Sequence, residues 1–205
     1  MKEFDRKGRQ LVNRLDGARE IMEQWDNPRS MANRTEYSLR KSAYGNINKA
    51  GAPEGPPSNI LPPLHPQFEQ FIEEGVRDLV IVVARQHGLI TYTSCEGHRY
   101  GEGGPLPSER HVGVLTRSQA EYDATERAFV TVGHAVNALA LTPHVHIEVS
   151  RQLLTDNDAK LPTLDLVLSK SETSSWDDYF ASVGPVYAAT VERMKAVEPI
   201  AKRSS

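Results

Sequence analysis

Two stretches in which apolar side chains recur at every second position constrain the fold of this chain most strongly. In residues 144–149 three β-branched side chains alternate with polar ones, and in residues 164–168 three leucines recur in the same way. Because successive side chains of a β-strand point to opposite faces of the sheet, each stretch predicts a strand with one buried face. The turn-forming residues 156–158 lie between the stretches and favour antiparallel pairing.

The remainder of the C-terminal part of the chain adds two strands and three helices to this pair. Helices are indicated by apolar residues at helical spacing and by capping boxes, and strands by runs rich in Thr, Ile, Tyr and Val. The predicted helices span about residues 66–87, 118–141 and 175–197, and the additional strands span residues 89–94 and 111–115. This order predicts an α+β fold in which helices cover one face of a four-stranded, largely antiparallel sheet.

The N-terminal third has a different character. Apolar residues between Phe4 and Trp25 recur at steps of three and four, which predicts an amphipathic helix. Residues 28–66 are rich in glycine and proline, which predicts a long irregular connection. We therefore predict an N-terminal helical arm of residues 1–66 and an α+β domain of residues 67–200. The arm would pack on the domain or on a partner, including a second copy of the chain in a homo-oligomer.

Composition narrows the class of protein. With 39% apolar and 25% charged residues among 205, the chain is typical of a globular protein, and its formal net charge of −3 gives no electrostatic sign of nucleic-acid binding. The longest apolar run, residues 79–84, is too short to cross a membrane, and the N-terminus lacks the apolar stretch of a signal peptide. A single cysteine excludes an intrachain disulfide and fits a cytoplasmic location.

The segment from Thr93 to His98 is the best candidate for a functional site, because it lies where a predicted strand enters a glycine-rich loop. Cys95, Glu96 and His98 are the candidate catalytic residues. An imidazolium beside a thiol favours the thiolate, which is a nucleophile, and Glu96 adds a carboxylate. The same thiol and imidazole could instead bind zinc. A purely structural turn, with the cysteine as a small apolar residue, is the alternative.

Residues near this segment are candidates for substrate binding. Arg99 could bind an anionic group, and Ser94 and Tyr100 lie on the same stretch of chain. His111 begins the next predicted strand, and a hairpin between the two strands would bring it to the same end of the sheet.

A second group of metal-ligand types lies at His144, His146 and Glu148 on one face of a predicted strand. An extended strand spreads these three residues over about 13 Å, so at most two neighbours could share one ion. The remaining ligand would come from the segment of Cys95, and the candidate metal ligands are Cys95, His98, His144 and His146. The alternative is a solvated polar face.

The run from Tyr92 to His98 resembles a T-x-S-C-[EQ]-G-H motif of uncharacterised small bacterial and phage proteins. It is also remotely similar to the S-C-S-G-R segment of the tRNA methyltransferases of wybutosine synthesis. The latter resemblance implies S-adenosylmethionine and tRNA as partners. It covers about seven residues, and His98 stands where that family has an arginine.

Three hypotheses about function follow from these residues. The first is an enzyme centred on Cys95 and His98 that performs hydrolysis or group transfer, zinc-assisted or not, on a small or nucleotide-like substrate. The second is a non-enzymatic binding or assembly module that uses residues 1–66. The third is a tRNA-modifying methyltransferase, as the resemblance implies. The chain contains no GxGxxG, GxxxxGK[ST], HExxH or CxxC motif, which argues against several common nucleotide and metal enzymes.

Overall fold

The computed structural model describes residues 17–25, 27, 40–42, 45–47, 61–99, 107–156 and 159–200. The helices are α1 (Ala18–Trp25), α2 (Phe68–Phe71), α3 (Arg77–Ile81, continued by a π-helical turn Val82–Gln86), α4 (Gln119–Asn137) and α5 (Trp176–Lys195). The strands are β1 (Arg40–Ser42), β2 (Gly45–Ile47), β3 (Ile90–Cys95), β4 (Arg110–Leu115), β5 (Val145–Asp156) and β6 (Ala159–Lys170). From residue 68 onward the helices and strands follow the predicted order, except that α2 and α3 replace the single helix predicted at residues 66–87.

The predicted α+β architecture is confirmed. Strands β3 to β6 form a four-stranded sheet in the order β3-β4-β6-β5, and every neighbouring pair is antiparallel. Helices α4 and α5 pack against this sheet. The short strands β1 and β2 pair with each other within the segment predicted as an irregular connection.

The β5–β6 hairpin shows how the alternation in the sequence determines the core. Leu164, Leu166 and Leu168 are fully buried, and Val145 and Ile147 on the neighbouring strand are 5% exposed. Each such side chain contributes about 1.5–3 kcal/mol when it leaves water. Both strands are longer than predicted because the backbone ladder continues beyond the apolar positions, to the pairing of residues 156 and 159.

Side-chain hydrogen bonds define the ends of the two long helices. Ser118 accepts a hydrogen bond from the N–H of Glu121 at the start of α4, and Ser175 and Asp178 form a reciprocal capping box at the start of α5. Helix α4 ends at Asn137, earlier than predicted. The Asn137 amide there pairs with both the N–H and the C=O of Ile147 on β5, which satisfies backbone groups at that edge of the sheet.

Residues 17–25 of the predicted arm pack on the domain. Ala18 and Trp25 are buried, and the Trp25 ring makes an edge contact with Phe68 at 6.3 Å between centroids. The carboxylate of Asp156 accepts hydrogen bonds from the N–H groups of Gly17 and Arg19 and so caps α1. Residues 1–16, which include the predicted helix from Phe4 onward, residues 28–39 and residues 48–60 lie outside the described residues. Among the described residues, no helix combines the length and apolar content that crossing a bilayer requires.

His87 follows the π-helical turn, at a position where the helix dipole alone would favour a cation. The side chain is fully buried, and its Nε2 lies 2.9 Å from the carbonyl oxygen of Met194 on α5. Burial lowers the pKa of His87, because removal from water disfavours the charged ring more than the nearby carbonyls favour it. The residue therefore links two helices in its neutral form.

Candidate metal centre

Cys95 is the last residue of β3, and the chain turns sharply before His98. Gly97 makes this turn with φ of +83°, in the left-handed region that favours glycine. A Cβ atom at Gly97 would lie 3.0 Å from the carbonyl oxygen of Ser108, so the two sides of the loop also approach too closely for a larger residue. The chain therefore turns between the thiol of Cys95 and the imidazole of His98, where the sequence predicted that a strand enters a glycine-rich loop.

The third member of the site, Glu73, comes from an interruption of the predicted first helix. The sequence predicted one helix across residues 66–87, but Ile72 is extended, and the chain makes a turn before α3 begins at Arg77. Glu73 lies in this interruption and is 8% exposed. The interruption also brings Gly75 close to Glu96, where a Cβ atom would lie 2.9 Å from a carboxylate oxygen, so this approach requires a glycine.

The two segments converge at the corner of the sheet where β3 ends. Ligand atoms of Glu73, Cys95 and His98 all lie within 4.8 Å of one another, and they form the one group of this kind among the described residues. The Nε2 atom of His98 is 3.0 Å from Oε1 of Glu73, with side chains 12% and 9% exposed. A carboxylate, a thiol and an imidazole that are brought together in this way can hold a metal ion.

Hydrogen-bond donors surround the sulfur of Cys95. The N–H of Gly97 donates to Sγ over 3.3 Å, and Oγ of Ser108 lies 3.6 Å from Sγ. Ser108 Oγ accepts a hydrogen bond from the N–H of His98 at 3.0 Å, which leaves its own proton available for the sulfur. Backbone hydrogen bonds in both directions between His98 and Ser108 hold this arrangement in place. Donors of this kind orient a metal ligand and stabilise its charge.

The imidazole of His98 has an unusual protonation equilibrium. Its hydrogen bond with Cys95 and, next, its hydrogen bond with Glu73 raise the pKa of His98 to about 10, although burial acts in the opposite direction. At neutral pH the metal-free site therefore contains an imidazolium next to a carboxylate. A metal ion that binds the ring must displace this proton.

Glu96, predicted as a catalytic carboxylate, connects the two segments. Its N–H donates to Oε2 of Glu73 at 2.8 Å, and its own Oε2 accepts from the N–H of Gly75 at 2.8 Å. Its carbonyl oxygen accepts from Nε of Arg110, whose guanidinium lies over the ring of Tyr187. The backbone N–H of Glu96 thus orients Glu73, while the Glu96 carboxylate is engaged by the N–H of Gly75 and is not among the three converging ligands.

The predicted substrate-binding residues that the structure describes are spread over β3, β4 and the loop that follows β3. Ser94 pairs with Val112 in the β3–β4 ladder, and Arg99 is exposed, next to His98. His111 is the direct cross-strand neighbour of Cys95, as predicted, but its Nε2 lies 3.5 Å from the hydroxyl of Thr93. Its Nδ1 faces the carbonyl oxygen of Glu109 at 3.2 Å, which requires Nδ1 to carry a proton. Tyr100 lies outside the described residues.

The two histidines predicted as further metal ligands are not brought to Cys95. They belong to the segment at β5, the opposite edge of the sheet, and two strands separate β5 from β3. His144 Nδ1 contacts Oγ of Ser174 at 2.9 Å, and His146 Nε2 contacts Oε1 of Glu148 at 3.1 Å. A strand spacing of about 4.8 Å places the two edges roughly 14 Å apart, too far for a shared ion. The converging carboxylate of Glu73 takes the place that these histidines were predicted to fill.

Comparison of the chain with protein-family models, with curated proteins and with solved structures finds no significant match. The motif resemblances of residues 92–98 therefore remain predictions.

Proposed function

We propose that Glu73, Cys95 and His98 bind a zinc ion, and that the loaded site catalyses hydrolysis or group transfer on a small or nucleotide-like substrate. The observation that carries this proposal is the convergence of three different ligand atoms within 4.8 Å, from two segments that are separate in the sequence. The thiol and imidazole alone would be a local pair. The carboxylate from a distant segment makes them a ligand set.

The chemistry of the donors favours zinc. Zinc binds sulfur, nitrogen and oxygen ligands, and its catalytic sites have three protein ligands and leave one coordination position for water or substrate. Tetrahedral coordination requires about 3.4 Å between neighbouring nitrogen and oxygen ligands. The 3.0 Å between His98 Nε2 and Glu73 Oε1 is close to this separation. Calcium and magnesium prefer sets made of oxygen alone.

A zinc ion held by Glu73, Cys95 and His98 would supply polarisation of the substrate and a water with a lowered pKa as the nucleophile at neutral pH. In hydrolysis the water oxygen bonds to the electrophilic atom, the bond to the leaving group breaks, and the water proton passes to that group. The residues of the chain hold the ligands. Glu96 fixes the carboxylate of Glu73 through its N–H, and Gly97 and Ser108 direct donors at the sulfur of Cys95.

Elemental analysis and cobalt substitution test the proposal. We expect the purified chain, after treatment with a chelator and addition of Co²⁺, to bind one ion and to show the near-ultraviolet absorption of a cobalt–thiolate bond. Cys95→Ser should abolish that absorption and weaken metal affinity by at least about 100-fold, since a ligand is lost. His146→Gln is the matched control and should bind metal as the natural chain does. Retention of normal affinity by Cys95→Ser would exclude this site.

A second candidate function, nucleophilic catalysis by Cys95 without metal, is favoured by one observation. The sulfur of Cys95 lies within 4.8 Å of a ring nitrogen of His98, and hydrogen bonding between the two groups raises the pKa of His98. The two candidates differ in their response to chelators. A metal-dependent activity disappears on chelation and returns with zinc. A thiol-dependent activity persists on chelation and is blocked by iodoacetamide.

A further inference from the structure

The first turns of α5 stand against the loop that carries the proposed metal ligands. A Cβ atom at Gly97 would lie 3.5 Å from Cε1 of Phe180, so the edge of this ring borders the turn between Cys95 and His98. The next residue of the loop, Arg99, places its guanidinium carbon 5.0 Å from the centroid of the same ring. One aromatic ring, that of Phe180, therefore borders both the turn at Gly97 and the guanidinium of Arg99.

This ring is part of a stack with a cation at each end. Phe180 and Trp176 are stacked at 5.9 Å with an interplanar angle of 30°, and Nζ of Lys170 lies 5.8 Å from the Trp176 ring. Both rings make edge contacts with Tyr179, which is fully buried. The Tyr179 hydroxyl donates to the carbonyl of Leu168 and accepts from a backbone N–H on β4. The stack is therefore fixed to the sheet, and it offers the face of Phe180 to the guanidinium of Arg99.

The ammonium group of Lys170 and the guanidinium group of Arg99 differ in how strongly neighbouring groups bind them. Nζ of Lys170 donates to the carbonyl oxygens of Ser171 and Ser174, at 2.9 and 2.7 Å, and so organises the turn before α5. Arg99 instead forms an ion pair with Asp177 at 2.8 Å, in which the two side chains are 57% and 85% exposed. An ion pair in such contact with water contributes little to stability, so another anion can replace Asp177 at small cost.

We propose that Arg99 binds an oxyanionic group, a carboxylate or a phosphate, of the substrate that the proposed metal centre acts on, and that Asp177 is its exchangeable partner. This inference rests on the proposed function. A guanidinium matches an oxyanion through two parallel hydrogen bonds, and its stacking on Phe180 reduces the entropy that binding would cost. Arg99 directly follows His98 in the chain, so the anion-binding group and a proposed metal ligand belong to the same loop.

The chain contains a built-in control for this arrangement. Arg85 also lies over an aromatic ring, that of Phe68, at 5.5 Å, and also pairs with an exposed carboxylate, that of Glu69. It belongs to the π-helical turn after α3 and is not part of the loop of His98. If an arginine on an aromatic ring were sufficient, both would bind anions. The proposal requires that Arg99, and not Arg85, contributes to anion binding by the zinc-loaded chain.

Isothermal titration of the zinc-loaded chain with inorganic phosphate, and separately with acetate, tests the inference. We expect Arg99→Gln to weaken binding of the preferred anion by at least about tenfold, as loss of a charge-assisted pair predicts. Arg85→Gln should leave the affinity unchanged. Asp177→Asn should increase it severalfold, because the competing carboxylate is gone. Comparison of the two probes distinguishes a phosphate-bearing from a carboxylate-bearing substrate.

The outcomes separate this inference from the proposed function. If the chain binds zinc but Arg99→Gln retains full anion affinity, or Asp177→Asn weakens it, the inference is wrong and the metal site stands. An equal loss in Arg85→Gln would also overturn it, since binding would then be general electrostatics. If no zinc binds, both proposals fail. Zinc affinity should be the same in all three variants, which shows that Arg99 acts on the anion and not on the metal.

Discussion

The chain carries two groups of metal-ligand side chains, one where β3 ends and one along β5, and their local surroundings differ. At the first, Glu73 reaches Cys95 and His98 from a separate segment, so that three ligand atoms converge. Along β5, His146 contacts Glu148, two residues away on the same strand. The difference teaches that a single strand displays its ligands in a row, whereas a turn and a second segment are needed to gather them around one point.

The largest expected effect compares one carboxylate from each region. Glu73→Gln keeps the size of the side chain but removes the charge, and we expect zinc affinity to fall by about 100-fold, the range for loss of a metal ligand or its essential support. Glu148→Gln should leave zinc affinity unchanged. Competition with a chromophoric chelator measures both. Equal zinc affinities of the two variants would contradict the proposal that the group at the end of β3 binds zinc and the group along β5 does not.

A second comparison uses two glycines and expects effects of different size. A Cβ atom at Gly75 would lie 2.9 Å from Glu96 Oε2 and 3.0 Å from Arg110 Nη2, so Gly75→Ala should lower the free energy of unfolding by about 1–3 kcal/mol and weaken zinc binding. A Cβ atom at Gly184 in α5 would meet nothing within 4 Å. Gly184→Ala should therefore change the free energy of unfolding by less than about 1 kcal/mol, because the helix propensity that alanine gains is opposed by the restriction that Pro185 places on the residue before it. Urea denaturation of the metal-free proteins measures both, and a stabilised Gly75→Ala would contradict the close packing of the two segments.

A third comparison concerns two histidines whose pKa values shift in opposite directions. Because burial lowers the pKa of His87, the unfolded chain takes up the proton first, so the contribution of His87 is complete above about pH 6.5 and declines as the pH falls from there. Contacts with Cys95 and Glu73 raise the pKa of His98 to about 10. In the metal-free chain its contribution is therefore complete below about pH 6.5 and is lost as the pH rises to about 10.

The free energy of unfolding, measured from pH 5 to pH 10 without metal, checks both signs. His87→Gln should flatten the acid side of the profile, and His98→Gln should flatten the alkaline side. A profile of His98→Gln that still declines as steeply as that of the natural chain between pH 7 and pH 10 would contradict the contact among His98, Cys95 and Glu73.

Much of the fold could be predicted because its signals are local. Alternation along residues 144–149 and 164–168 predicted the hairpin, and the capping boxes at Ser118 and Ser175 predicted where α4 and α5 begin. The ends of elements were less accurate. Helix α4 stops at Asn137, where the chain enters a tighter turn that includes Ala140 at φ of +46°, a backbone conformation that no local pattern reveals.

The candidate site was predicted in part for the same reason. Cys95 and His98 are three residues apart, so their proximity could be inferred from the turn at Gly97. Glu73 was missed because apolar spacing around it predicted an unbroken helix, within which an acidic residue would be one of many solvated charges. The signal that could have identified the break was Gly75, a residue that weakens a helix interior.

The sequence by itself determined strands β3 to β6, helices α4 and α5 and the thiol–imidazole turn, since each depends on residues that are neighbours along the chain. Only the tertiary structure decided which distant group completes the site: Glu73, through the reciprocal hydrogen bonds of Glu96, and not the histidines of β5. The physical reason is that the choice depends on strand order and on the close approach of two backbones. Neither leaves a periodic pattern in the amino-acid sequence.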